Sequence, residues 1–183
     1  MSKRRQQTVI AYVDGFNLYY GLLYAKYTKL KWLDLLALSN RLVGVNQTVV
    51  EVNYFTSLIN DPEDKRLRQL NYVNALIAHS GCHVIKGNYV RNIVICKQCG
   101  FQQLFHSEKM TDVNIASKLI TDSIERRSDV ALIVSGDSDL VPAIIASKRI
   151  CPERKILARF PPERPRITLQ PRSMAALSSA KPI

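Results

Sequence analysis

The sequence predicts an α/β fold, a mainly parallel sheet between helical layers. Three observations predict it. Short β-branched runs recur along the chain, and two of them, residues 8–13 (TVIAYV) and 130–134 (VALIV), are almost wholly apolar. A strand without polar alternation is covered on both faces, as strands of parallel sheets are. Between such runs lie segments whose apolar residues recur at intervals of three and four, the helical spacing. Finally, 46% of the 183 residues are hydrophobic, enough to bury a core and to exclude global disorder.

Taken in order, residues 8–13 read as a buried strand ending in the turn Asp14-Gly15. Residues 18–27 and 32–43 have helical spacing, with Leu35, Leu38 and Leu42 on one stripe. Residues 48–59 read as a second strand. Asp61-Pro62 is a helix start, Asp61 as N-cap and Pro62 at the first helical position. That helix runs to about Ser80 and stops at Gly81, with Leu67, Leu70, Val73, Leu76 and Ile77 facing inward.

Residues 82–85 and 92–95 are expected as short strands, and 96–107 as irregular or hairpin-like. Thr111 can cap a helix over 112–125 whose stripe includes Ile115, Leu119 and Ile120. The strand 130–134 is followed by the turn Ser135-Gly136-Asp137-Ser138-Asp139 and a helix over 140–148. Residues 155–160 are the last expected strand. The organisation is thus a basic arm (1–7), one α/β domain (8–160) with a hairpin insertion near 92–107, and a Pro- and Arg-rich tail (161–183). No apolar run approaches the roughly 18–20 residues of a membrane span, so no membrane partner is expected. The start has no secretory h-region, and four cysteines are too few for a disulfide scaffold. The expected compartment is the reducing cytoplasm.

Right-handed crossovers place the loops after parallel strands on one sheet edge, where ligands bind in such folds. Asp14 ends the first strand, Asp112 opens a helix, and Asp137 and Asp139 follow the 130–134 strand. Singly, each is an ordinary turn or cap residue. Together, they are a cluster of like charges. Two unit charges about 4 Å apart repel by about 4 kcal/mol at an effective dielectric of 20. A divalent cation removes that penalty, and carboxylate oxygens with water suit Mg²⁺ or Mn²⁺. Such ions activate water toward phosphodiesters. Asp34, Asp61 and Asp122 lie off this edge and read as caps or surface charges.

Lys plus Arg outnumber Asp plus Glu by 26 to 15, a net charge of +11. A polyanion, nucleic acid first, is the expected partner. Lys3, Arg4 and Arg5 form the arm, and Arg154, Lys155, Arg159, Arg164, Arg166 and Arg172 enrich the other end. Arg159 leaves the last strand on the site edge. Tyr12, Phe16, Tyr19, Tyr20, Tyr24 and Tyr27 crowd the first strand and helix and are expected mainly as packing, with Phe16, beside Asp14, able to stack on a base. Cys96-Lys-Gln-Cys99-Gly100 is half a zinc knuckle, with His106, Cys82 and His83 as possible partners; free thiols in a hairpin are the alternative.

Three segments, VDGFNL (13–18), EKMTDV (108–113) and VSGDSDL (134–140), resemble the NYN-domain family of the PIN-like nuclease superfamily, in the right order and over about residues 8–160. The resemblance implies a three-layer, Rossmann-like α/β/α fold and metal-dependent RNA cleavage. The family's acids fall on Asp14, Asp112, Asp137 and Asp139. Its Asn falls on Asn17, to bond the substrate phosphate or a water on the metal. Its small hydroxyl residue falls on Ser135, beside the acidic turn and able to orient Asp137. Lys109 lies in its Glu-Lys segment and is a phosphate-binding candidate. The expected reaction is hydrolysis of RNA by water activated on Mg²⁺ or Mn²⁺. Rival readings are a non-catalytic RNA-binding module of the same fold, and a phosphatase or toprim-like phosphotransfer enzyme. A protein acting through a partner and a homo-oligomer also stay open.

Overall fold

The fold is known from a computed structural model, which describes residues 5–95 and 97–163. Five strands form the central sheet: β1 (Gln7–Asp14), β2 (Gln47–Thr56), β3 (His83–Lys86), β6 (Val130–Val134) and β7 (Lys155–Arg159). Their order is β3-β2-β1-β6-β7, and every pairing is parallel. The chain builds outward from β1 in one direction, then returns to its other side. β1 therefore stands at the point where strand order reverses, where open α/β sheets leave a crevice at the strands' carboxyl ends.

The helices are α1 (Gly15–Tyr24), α2 (Leu35–Leu42), α3 (Glu63–Ser80), α4 (Thr111–Ile124) and α5 (Val141–Ile150). Strand periodicity divides the core into two layers. Val9, Ala11 and Val13 of β1, with Val130, Leu132 and Val134 of β6, pack with Leu18, Leu22, Leu35, Val73 and Leu76 from α1, α2 and α3. Ile10 and Tyr12, with Ala131 and Ile133, pack with Ile115, Leu119, Ala143 and Ile144 from α4 and α5. Both faces of β1 and β6 are sealed, which is why their sequences lack alternation. Each fully buried aliphatic side chain there contributes about 1.5–3 kcal/mol relative to exposure.

Local chemistry sets the boundaries. α1 starts three residues earlier than its apolar spacing predicts, because Asp14 caps it: its Oδ1 accepts from the Asn17 amide at 2.9 Å. Gly15 is needed there, since a Cβ would lie 2.7 Å from the Phe55 carbonyl and the Tyr54 ring. The expected helix over 32–43 is shortened to α2, which Asp34 caps through Leu36 and Ala37, while Trp32 ends a 3-10 turn that starts at Thr28. Pro62, not Asp61, is the N-cap of α3, and Gly81 closes it at φ +58. The insertion is a hairpin of β4 (Asn88–Ile95) and β5 (Gln102–Lys109), a separate two-stranded sheet somewhat longer than the 92–107 expected. Residues 1–4, 96 and 164–183 lie outside the described residues, and with them Lys3, Arg4, Arg164, Arg166, Arg172 and most of the expected tail. No helix among the described residues is long and apolar enough to cross a membrane.

Two expectations about charge are overturned. Asp122 is neither cap nor surface charge: it is 1% exposed. Tyr12 donates to its Oδ2 at 2.6 Å, and Lys118 and Arg127 reach its Oδ1 at 2.6 and 3.2 Å. Arg154 is likewise withdrawn from any phosphate. Its terminal nitrogens donate to the Leu119 carbonyl and to Ser123, Tyr12 and Ser128 under α4. A guanidinium and a carboxylate bridged by a buried phenol form a polar pin between β1 and the second helical layer.

Candidate functional site

The carboxyl end of β1 delivers Asp14, 4% exposed, to the crevice. Burial pushes its pKa up to about 6 against the ordinary 3.8, and the charges of Asp112 and Asp137 push the same way. Hydrogen bonds from the Asn17 amide and Ser135 partly oppose the rise. Asp112 enters from the first turn of α4, where the helix dipole favours an anion. It is half-buried, and burial, Asp137 and Asp139 hold its pKa above the usual range. Three of the sequence-derived acids thus sit within electrostatic reach of one another. Asp139 is exposed at the rim, its amide donating to Asp137 Oδ1 at 2.9 Å.

The loop after β6 is tied to the end of β1 and to the start of α1. Ser135 donates to Asp14 Oδ2 at 2.8 Å and accepts from the Asp137 amide at 3.1 Å. Asn17 Oδ1 accepts from the Gly136 amide at 2.9 Å. Ser135, expected as a substrate contact and as able to orient Asp137, is fully buried and bonds the Asp14 carboxylate and the Asp137 amide. Asn17, expected to bond substrate, has its side-chain carbonyl engaged with the loop.

Sequence reasoning missed Glu108, although it stood inside a motif. It stands one residue before the end of β5, near Asp14 and Asp112, and burial followed by those charges raises its pKa to about 7 from the usual 4.5. Thr111 and Ser57 hydrogen-bond it. The chain turns from β5 into α4 through Met110 at φ +76, so Thr111 does not cap the helix as expected; its hydroxyl serves Glu108. Gly87 lets the hairpin base approach. A Cβ there would lie 2.5 Å from the Lys109 carbonyl, 2.7 Å from Ser57 Oγ and 2.8 Å from Thr111 Oγ1. Nothing local in the sequence separates Glu108 from a solvated strand-end charge; only the docking of the hairpin does.

Among the described residues, no three His, Cys, Asp or Glu side chains are grouped closely enough to hold a metal ion by themselves. The donor chemistry nevertheless fits a hydrated divalent cation. Mg²⁺ needs one or two carboxylates and fills the rest of its shell with water and substrate phosphate oxygens. A buried carboxylate flanked by like charges is the electrostatic environment that such an ion relieves.

The other expected contacts are dispersed. Lys109 is exposed at the end of β5. Arg159 is on the expected edge, but on β7, two strands from Asp14, and its guanidinium donates to the carbonyls of Leu42 and Ala158. Cys82 leaves the zinc set: it is buried beside Val73 and Leu76, at the end of β3 away from the hairpin. Burial pushes its thiol up to about 11, so it stays protonated and inert. Cys99 is exposed in the hairpin turn; Cys96 and the His106 side chain lie outside the described residues. The aromatics expected as packing divide. Tyr12 is core, whereas Tyr19, Tyr20, Tyr24 and Tyr27 are exposed.

Three comparisons bear on this geometry. The family model described as the NYN domain matches residues 8–149. A curated relative, 6-hydroxy-3-succinoylpyridine 3-monooxygenase HspA of Pseudomonas putida, is 32% identical over 167 positions, covering 73% of this chain and 53% of the relative. The chain spans about half the length of that relative. A crystal structure of a Vibrio parahaemolyticus protein of unknown function superposes with a TM-score of 0.53 at 16% identity, covering 86% of this chain and 85% of that one. At that identity it supports the fold alone.

Proposed function

The chain belongs to the NYN domain family, and on that premise we propose that it is a ribonuclease dependent on Mg²⁺ or Mn²⁺. NYN domains are generally nucleases, so an enzyme acting on nucleic acid is the coarse reading the family supports. The observation that carries the finer reading is the cluster of mutually repelling carboxylates, Asp14, Asp112, Asp137 and Glu108, at the switch point of a protein with net charge +11.

Asp14, Asp112 and Asp137 would hold a hydrated cation, one or two of them directly and the rest through its water ligands, with Asp139 at the rim of the same set. Bound there, the cation would supply a lowered pKa for an attacking water and charge neutralisation on the phosphodiester. Ser135 and the Asn17 amide hold the Asp14 carboxylate, and Ser135 and the Asn17 side chain hold the backbone of the loop that carries Asp137, so that little reorganisation is needed. Glu108, whose pKa lies near neutrality, can accept or return a proton at its carboxylate. Lys109 and Arg159 are phosphate contacts in this reading. Phe16 offers a base a ring face beside the acids.

Incubation of labelled RNA with the protein and Mg²⁺, Mn²⁺ or chelator tests the reading. The expected result is metal-dependent cleavage leaving 5′-phosphate and 3′-hydroxyl ends, lost in Asp14→Asn and Asp137→Asn. Cleavage undiminished in both variants overturns it. Binding without turnover in either metal favours an RNA-binding module. The name of the Pseudomonas relative supplies a second reading, hydroxylation of a pyridine. The ring cluster next to Asp14 favours it, because it could hold a flat heteroaromatic substrate. Hydroxylated product from a pyridine acid, given a reductant and O₂, with RNA left intact, would establish that reading instead.

A further inference from the structure

Phe16, Tyr20 and Tyr24 are spaced by four, so their rings form a line along α1. Ring centroids are 6.1 Å apart for Phe16–Tyr20 and 6.0 Å for Tyr20–Tyr24, with tilts of 35° and 27°. Tyr89 of β4 extends the line beyond Phe16 at 6.5 Å and 18°. One end lies at the acidic site. Phe16 follows Asp14 by two residues, and the Tyr20 and Tyr89 phenols, raised first by burial, also feel the charge of Glu108. The other end runs into basic chain. Residues 15–33 hold Lys26, Lys29 and Lys31 and no acid, and Lys31 Nζ sits 5.4 Å over the Tyr19 ring, which meets Tyr20 edge-on.

Tyr20 and Tyr24 are 37% and 59% exposed, which a core helix would not tolerate in two consecutive turns. Lysines bordering the rings match a polyanion better than an apolar peptide. A polyanion with flat π faces is a nucleic acid, and its bases present those faces only when unpaired.

We propose that Tyr89, Phe16, Tyr20 and Tyr24 form a stacking track for the bases of single-stranded RNA, leading the strand from Lys26, Lys29 and Lys31 to the carboxylates. The inference rests on the RNA reading above and names its substrate class as unpaired strand. The track rejects duplex because paired bases cannot reach the rings.

The test measures binding of a fluorescently labelled 12-nucleotide RNA and of the same sequence as a duplex, in chelator so that neither is cut. Wild type is compared with Tyr20→Ala/Tyr24→Ala and with Tyr20→Phe/Tyr24→Phe, each checked for an unchanged melting transition. The single strand should bind wild type at least tenfold more tightly than the duplex. The alanine pair should lose roughly ten- to hundredfold in single-strand affinity with duplex binding unchanged, and the phenylalanine pair should stay within about twofold of wild type. Equal binding of strand and duplex, or an alanine pair that binds like wild type, overturns the track while metal-dependent cleavage by wild type would still stand. Wild type that neither binds nor cuts RNA removes both. A wild-type dimer without RNA that the alanine pair dissociates also overturns the track, and makes the rings an interface between copies.

Discussion

Asp14 and Asp122 are both almost wholly withdrawn from water, at 4% and 1% exposure, and both are anchored to β1 within two residues of each other. Their surroundings are opposite. Asp122 receives Lys118, Arg127 and the Tyr12 hydroxyl, and Arg154 backs the phenol. Asp14 receives a serine, a backbone amide and the fields of other carboxylates. A buried carboxylate with cationic partners is part of the scaffold. One whose neighbours are acids is held at an energetic cost that folding alone does not explain, and a cation removes that cost.

The same substitution should therefore have opposite effects at the two positions. The largest is Asp122→Asn, which leaves Lys118 and Arg127 with Glu51 alone and weakens the charge-assisted bond from Tyr12, and should cost about 1.5–3 kcal/mol in urea unfolding. A loss below about 1 kcal/mol would break the contrast. Asp14→Asn relieves the like-charge burden and keeps an acceptor for the Asn17 amide. It should stabilise the protein by about 1–2 kcal/mol at pH 7 in chelator while abolishing cleavage. Destabilisation of similar size would show that Asp14 is structural.

A pH series sharpens the same comparison. Asp14 and Glu108 bind protons more tightly folded than unfolded. The stability they contribute is full below about pH 4 and is lost as pH rises through about 6 for Asp14 and about 7 for Glu108. In chelator, the melting temperature should accordingly fall between pH 5 and 7.5, and fall less in Asp14→Asn. Added Mg²⁺ should raise it most at the high end, where the acids are ionised. A flat profile, or one unaffected by Mg²⁺, would contradict the cluster's proposed role.

Gly87→Ala should reduce cleavage by about tenfold, because the new methyl displaces Ser57 and Thr111, the partners of Glu108. Unchanged kcat would remove Glu108 from the mechanism. The smallest effect is expected at the rim. Asp139→Asn should lower cleavage by no more than about fivefold, since its exposed charge is largely screened.

Much of this arrangement was legible along the chain. The unalternated runs of β1 and β6 marked sheet centre, and Asp14-Gly15 and Ser135-Gly136-Asp137 marked two loops on one edge. Crossover handedness then placed those loops together without coordinates. Other features misled because their local reading was complete without the tertiary one. Arg154 looked like one more basic residue near a basic tail, and Tyr20 and Tyr24 looked like the apolar stripe of a helix, although α1 turns those rings to solvent.

By itself, then, the sequence determined the strands, their shared edge and the aspartates delivered there, because periodicity, caps and turns act over a few residues. Only the tertiary structure decided which buried charges are partnered and which are not. Tyr12 meets Asp122 across 110 residues and Arg154 across 142, and Glu108 reaches the site only because Gly87 lets the hairpin dock against Ser57 and Thr111. Charge compensation depends on distance in space, and no local spacing encodes it.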